Sequence, residues 1–193
     1  MSKIAIFGGS FDPVHKSHVQ IADLALKCFD LEELIFVVAY APPHKKKQYA
    51  DIKDRISMLR LVTCNVSKSR ISCCEVQNRG MVYSYQTLDY FQNLYSSDEI
   101  YMVIGSDSLL DLSTWKNIDY IVTRYKFIIA RRPNIKIGSD TKYLDRCVFI
   151  DKEIENISST RIRELIKLNH IEASTLLNRK VYDYIIQKQL YYR

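Results

Sequence analysis

Short continuous apolar runs alternate along this chain with stretches whose apolar residues recur at helical spacing. Ile4-Ala5-Ile6-Phe7 and Leu34-Ile35-Phe36-Val37-Val38-Ala39 lack polar alternation, as expected of strands buried on both faces. Arg70 to Val76, Glu99 to Ile104, Phe127 to Ala130 and Cys147 to Ile150 read as further strands. Between them, Ile21 to Cys28 is amphipathic, and a helix from about Ile52 should place Ile52, Ile56, Leu59 and Thr63 on one face. Tyr85 to Tyr95 carries Leu88, Phe91, Leu94 and Tyr95 at helical spacing, and two helices, Thr160 to Leu168 and Arg179 to Gln189, close the chain. Strands alternating with helices predict βαβ units and an α/β fold with a mainly parallel sheet. Ligands of such sheets bind beyond the carboxyl ends of the strands. Gly8-Gly9, Pro42-Pro43-His44-Lys45 and Gly105-Ser106-Asp107 all fall at such ends.

The first of these carries the strongest chemistry. Gly8-Gly9-Ser10-Phe11-Asp12-Pro13-Val14-His15-Lys16-Ser17-His18 joins strand to helix through an expected tight glycine turn. A helix start of this kind points free backbone N–H groups and the positive end of a helix dipole at an anion. One face of the first turn can offer His15 and His18 to the same phosphate chain. Neither a G-x-x-x-x-G-K-[ST] loop nor a G-x-G-x-x-G fingerprint occurs in the chain. The two histidines do not have H-E-x-x-H spacing, and no cysteine pair stands nearby to complete a tetrahedral metal site.

Ile157-Ser158-Ser159-Thr160-Arg161-Ile162-Arg163 is the second anchor. Its hydroxyls are N-cap candidates for the helix that follows. Cations oppose the dipole at a helix N-terminus, so Arg161 and Arg163 placed there imply a bound anion, and a polyphosphate fits.

Composition adds bounds. With 193 residues, 47% hydrophobic and 26% charged, residues 1–193 are expected to form one soluble domain with a sizeable core. No apolar run approaches the roughly 20 residues a bilayer requires, so no membrane attachment is expected. Met1-Ser2-Lys3-Ile4 leads straight into the first strand, leaving no room for a signal peptide, and cytoplasm is the expected location. Cys28, Cys64, Cys73, Cys74 and Cys147 are odd in number and form no C-x-x-C pair, which predicts reduced core thiols. Cys73 and Cys74, as strand neighbours, should face opposite ways. The net charge of +6 suits either nucleic acid or a pocket for several phosphates. Its clustering at His44-Lys45-Lys46-Lys47, Arg131-Arg132 and Arg161-Ile162-Arg163 favours a pocket.

GGSFDPVHKSH, PPHK, IGSD followed by Trp115, RRP and ISSTRIR occur here in the order found in bacterial nicotinate-nucleotide adenylyltransferases, which the chain resembles from Lys3 to about Tyr192. The resemblance implies a Rossmann-like fold with helices on both faces of the sheet and C-terminal helices. It also implies transfer of AMP from ATP to nicotinate mononucleotide, with Mg²⁺ bound through the ATP phosphates and no metal site of the protein's own. Residue by residue, it makes His15, His18 and Arg163 the catalytic set. Gly8, Gly9, Ser10, Phe11, Lys45, Gly105, Asp107, Ser158 and Thr160 would bind ATP. Tyr83, Ser84, Trp115 and Lys116 would bind the mononucleotide, the tryptophan by stacking on its ring and the others through backbone N–H groups that read its carboxylate.

Four departures stand out. Ser17 replaces the glycine usual between the signature histidines, Val82-Tyr83-Ser84 replaces Ser-Tyr-Thr, Gln86 replaces an acidic residue before Thr87, and Asn134 replaces a frequent glycine after Arg131-Arg132-Pro133. A nicotinamide-mononucleotide or phosphopantetheine adenylyltransferase is the nearest alternative, although His15 and Trp115 argue against the latter. A basic nucleic-acid-binding domain would account for the charge and the 14 tyrosines but not for the ordered anchors. No nucleic-acid partner is therefore expected. The oligomeric state stays open, a symmetric homodimer being the common assembly.

Overall fold

The computed structural model describes residues 1–40, 48–79, 83–133 and 135–192. Six strands form one sheet: β1 (Lys3–Gly9), β2 (Glu33–Val38), β3 (Ser69–Ser72), β4 (Glu99–Gly105), β5 (Lys126–Ala130) and β6 (Cys147–Ile150). Their order is β3-β2-β1-β4-β5-β6, and every described pairing is parallel. The order reverses between β1 and β4, and in open α/β sheets such a switch point opens a crevice at the strands' carboxyl ends.

The continuous apolar runs are explained by two cores. On one face Ala5, Phe7, Leu34, Phe36, Val103 and Ile128 pack against α1 (Lys16–Cys28), α2 (Ile52–Thr63), α7 (Ser159–Lys167), α8 (Glu172–Leu176) and α9 (Arg179–Gln187). On the other, Ile4, Ile6, Ile35, Val37, Ile104 and Phe127 meet α3 (Cys74–Gln77), α4 (Ser84–Leu94), α5 (Ser106–Leu110) and α6 (Ile118–Arg124). Successive residues of one strand thus enter opposite cores, which is why no polar residue interrupts them.

Four expectations need correction. The strand predicted over Arg70 to Val76 ends at Ser72, and Cys74–Gln77 is a helical turn in which Gln77 and Asn78 N–H groups bond the Cys73 and Cys74 carbonyls at 2.9 and 2.8 Å. Cys73 and Cys74 are consequently not strand neighbours. In α2 the buried face is Arg55, Met58, Leu59 and Val62, with Ile52 and Ile56 only half-buried. Hydrophobic patterning misses it because its key residue is a cation: the fully buried Arg55 donates to the Ser10 and Ala39 carbonyls at 2.8 and 2.9 Å. Leu94 is 59% exposed, on the solvent side of α4. The described cysteines are free, but Cys28 and Cys64 are exposed, so only Cys74 is a fully buried core thiol.

Candidate active site

Beyond the carboxyl ends of β1 and β4 lies a cavity of about 420 Å³. Its walls include Gly8, Gly9, Ser10, Phe11, His15, His18, Tyr83, Ser84, Gly105, Asp107, Trp115 and Lys116, twelve of the residues singled out from sequence. Ser158, Thr160 and Arg163 are not among the lining residues; Ser159 stands there instead. Lys45, His44 and Val82 lie outside the described residues.

The turn after β1 is built differently from the expected glycine turn. Gly8 and Gly9 are strand residues, and it is Phe11 that takes the left-handed conformation, at φ 49°. A Cβ on Gly9 would come within 2.9 Å of the Phe11 ring, so the glycine there makes room for the phenylalanine. A Cβ on Gly8 would meet nothing within 4 Å, leaving backbone open to the cavity. Phe11, 2% exposed, then packs edge-on against Phe7 and His18, with ring centroids 5.9 and 5.1 Å away.

His15 occupies the N-cap of α1 and His18 its first turn, so both imidazoles reach the cavity from one helix start. Their rings stack with centroids 3.7 Å apart, and the His15 backbone N–H donates to His18 Nδ1 at 3.2 Å. Burial, with the nearby Arg132 charge adding to it, pushes the His15 pKa down to about 3. That imidazole is neutral at physiological pH, and its side chain faces the His18 backbone N–H as the reciprocal half of a capping box.

Ser17 fits without strain. It is a helical residue, 3% exposed, whose hydroxyl donates to the Glu155 carbonyl at 2.7 Å. Gln20, one turn on, both donates to the Glu153 carbonyl and accepts the Glu155 N–H, at 3.3 and 3.1 Å. The start of α1 is thereby tied to the segment that leads into α7.

At α7 the three hydroxyls divide their work. Ser158 is the N-cap and accepts the Arg161 N–H at 3.2 Å; Ser159 donates to the Pro13 carbonyl at 2.9 Å; Thr160 accepts from Arg163 at 3.0 Å. The two arginines also differ. Arg161 is exposed and pairs with Glu172, so it is not directed at the cavity. Arg163 is half-buried, donates to the Asp12 carbonyl at 2.7 Å, and lies 4.1 Å from the centroid of the Tyr49 ring.

The opposite wall comes from α4 and the 3₁₀ turn Leu112–Thr114, which delivers a half-buried Trp115 and an exposed Lys116. Sequence reasoning missed three residues here. Arg132 lines the cavity, its Nε 3.3 Å from Asp107 Oδ1 and its N–H bonded to Ser106 Oγ at 3.0 Å. Its signal was the RRP motif at the end of β5. Glu75 and Thr87 also line the cavity, joined by a 2.8 Å bond from the threonine hydroxyl. Burial pushes the Glu75 pKa up, while the Thr87 and Tyr40 donors oppose the shift. Reading Cys74 to Val76 as strand hid Glu75, whereas Thr87 is one helical turn from Tyr83.

A parallel sheet whose strand order reverses at a crevice that receives two helix starts, a buried neutral imidazole and an arginine suits an α/β protein that binds a nucleotide. Residues 6–165 match the cytidylyltransferase-like family, and the chain belongs to it. It is 65% identical, over 99% of its length and 100% of the relative's, to the probable nicotinate-nucleotide adenylyltransferase of Endomicrobium trichonymphae. Among solved structures, the nicotinic acid mononucleotide adenylyltransferase of Plasmodium falciparum, complexed with APC, superposes with a TM-score of 0.84 at 24% identity, over 99% of this chain and 98% of that one. The same enzyme complexed with NaAD gives 0.84 at 23% identity with the same coverage. These structural likenesses bear on the fold.

Proposed function

We propose that this chain is an enzyme that transfers AMP from ATP to nicotinate mononucleotide, giving nicotinate adenine dinucleotide and pyrophosphate. The mononucleotide phosphate oxygen attacks the ATP α-phosphorus in line; the new P–O bond forms as the bond to the β-phosphate oxygen breaks. The observation that carries this reading is one cavity holding both halves of the chemistry, with the histidine pair on one wall and Trp115 with Tyr83, Ser84 and Lys116 on the other.

His15 and His18 donate to phosphate oxygens as charge develops on them, His15 as a neutral imidazole, while Arg163 and the α7 start hold the β- and γ-phosphates. Gly8 to Phe11 give close backbone approach to the nucleotide, and Gly105 and Asp107 lie on the ribose side. Trp115 stacks on the pyridine ring, and N–H groups around Ser84 and Lys116 read its carboxylate. Catalysis then comes from positioning and charge stabilisation. Mg²⁺ would arrive on the ATP phosphates that His15, His18 and Arg163 would hold. Bound there, Mg²⁺ would neutralise phosphate charge. Residues 1–193 act as one domain in the cytoplasm on these two small substrates, without nucleic acid or membrane; a homodimer is the assembly to check by light scattering. Among the described residues no helix is long and apolar enough to cross a membrane.

Pyrophosphate release from ATP-Mg²⁺, with nicotinate mononucleotide, nicotinamide mononucleotide and phosphopantetheine offered separately, tests the assignment. Turnover should be strongest with nicotinate mononucleotide, because an amide leaves the carboxylate-reading N–H groups poorly matched. Preference for either alternative acceptor would overturn the substrate.

A further inference from the structure

The C-terminal end of the chain reaches back to the loop between β1 and α1. Tyr191, 8% exposed, donates its hydroxyl to Asp12 Oδ1 at 2.8 Å, across 179 residues of sequence. Asp12 is itself 4% exposed. Its Oδ1 also accepts the Ala50 N–H at 3.1 Å, and its Oδ2 accepts the Tyr49 N–H at 2.8 Å. A buried carboxylate needs such donors, because desolvation without them is costly. Burial and the Asp12 charge raise the Tyr191 pKa far above its ordinary value, so the hydroxyl stays a donor throughout the working range.

What Asp12 holds in turn is Arg163. The Asp12 carbonyl accepts Arg163 Nη1, and the Tyr49 ring that Asp12 fixes through its backbone is the surface over which the guanidinium lies. One carboxylate therefore ties together the C-terminus, the segment entering α2 and the arginine of α7. Neither Tyr191, Asp12 nor Tyr49 lines the cavity, yet Ser10, Phe11, His15 and Ser159 beside them do.

We infer that Tyr191 is a positioning residue for the ATP triphosphate: its bond to Asp12 sets the carbonyl and the tyrosine ring that aim Arg163. The inference rests on Arg163 being an ATP contact. It predicts an effect confined to one substrate, since among the described residues Trp115 and α4 share no hydrogen bond with Tyr191, Asp12 or Arg163.

The test is ATP affinity by equilibrium titration of the full chain, together with both KM values. Tyr191→Phe keeps the ring and removes the donor, and should weaken ATP binding about fivefold or more while leaving KM for the mononucleotide within about twofold. Tyr184→Phe is the control. Its hydroxyl donates to Asp54 Oδ1 at 2.8 Å from the same C-terminal region, a carboxylate other than the one that holds Arg163, and ATP affinity should hold within about twofold. In an Arg163→Ala background, Tyr191→Phe should add no further loss, because the tyrosine acts through the arginine. Equal weakening of both substrates, an undiminished effect without Arg163, or unchanged ATP binding would overturn the latch. Wild-type protein that binds ATP but adenylates none of the mononucleotides would overturn the proposed reaction alone, since the binding arm still tests the latch.

Discussion

The two helix starts that serve the cavity hold their charge in opposite ways. At α1 the first imidazole is buried and neutral: His15 is 4% exposed, with its pKa pushed down to about 3, and it stacks on a half-buried His18 that packs edge-on against Phe11. At α7 the groups are charged and wetter, Arg161 paired with Glu172 and Arg163 half-buried against Asp12 and Tyr49. Donors fixed in a dry wall cost no reorganisation when charge develops, and salt screens them little. Cations nearer water attract an incoming anion but feel ionic strength. For the proposed reaction, the difference predicts that α1 governs rate and α7 ATP capture.

Removing the imidazole of His18 breaks the first half of that assignment. His18→Ala should lower kcat by roughly 10²–10³, the usual loss for one transition-state donor, with little change in its salt dependence. Near-normal turnover in a folded variant would end its role. Arg163→Ala should act instead on ATP, raising its KM about 10- to 100-fold, as expected for a lost charge-assisted hydrogen bond. The dependence of that KM on salt should flatten in steady-state assays at several ionic strengths; an unchanged slope would place the salt-sensitive contact elsewhere. Trp115→Ala leaves both helix starts alone and should raise KM for the mononucleotide roughly 3- to 10-fold, with ATP unaffected.

Burial at α1 also has a pH consequence. The unfolded chain protonates His15 near 6.5, the folded chain only near 3. Between those values the unfolded state binds more protons, so unfolding free energy rises with pH. His15 therefore destabilises the fold progressively as pH falls below about 6.5. Thermal melts from about pH 4 to pH 7 should show a steeper loss for the wild type than for His15→Gln; parallel curves would contradict the buried neutral assignment.

How much of this was legible beforehand follows from what each feature depends on. Strands β1, β2, β4 and β5 were readable because both their faces are buried, and the α1 histidines because a helix start displays its residues within four positions. Features resting on distant partners were not. Arg55 reads as a surface cation until its carbonyl partners, Ser10 and Ala39, are brought to it. In ISSTRIR the resemblance alone singles out Arg163, and the physical difference between the two arginines appears only with their partners, Glu172 and Asp12. The Cys74–Gln77 turn was misread because the apolar-rich stretch Ile71 to Val76, with Cys73, Cys74 and Val76, resembles a buried strand, and with it Glu75 was lost from the site. Tyr191 had no local signal.

The smallest expected effect bears on whether the two helix starts act independently. Ser17 stands where glycine is usual, and its helical backbone shows that no special conformation is demanded there. Its hydroxyl instead bonds the Glu155 carbonyl at 2.7 Å, three residues before the α7 cap. Ser17→Gly loses that bond and adds backbone freedom in a helix, together about 1–2 kcal/mol. The melting temperature should fall by a few degrees, at about 2–4 °C per kcal/mol for a chain of this size. Turnover at saturating ATP should hold within about twofold, because neither histidine loses a partner. KM for ATP decides the rest. A rise of about twofold or more means that α1 holds the α7 cap in register through the 153–155 segment. An unmoved KM means that the serine only stabilises, and that the glycine usual at this place is a choice of packing and not of phosphate access.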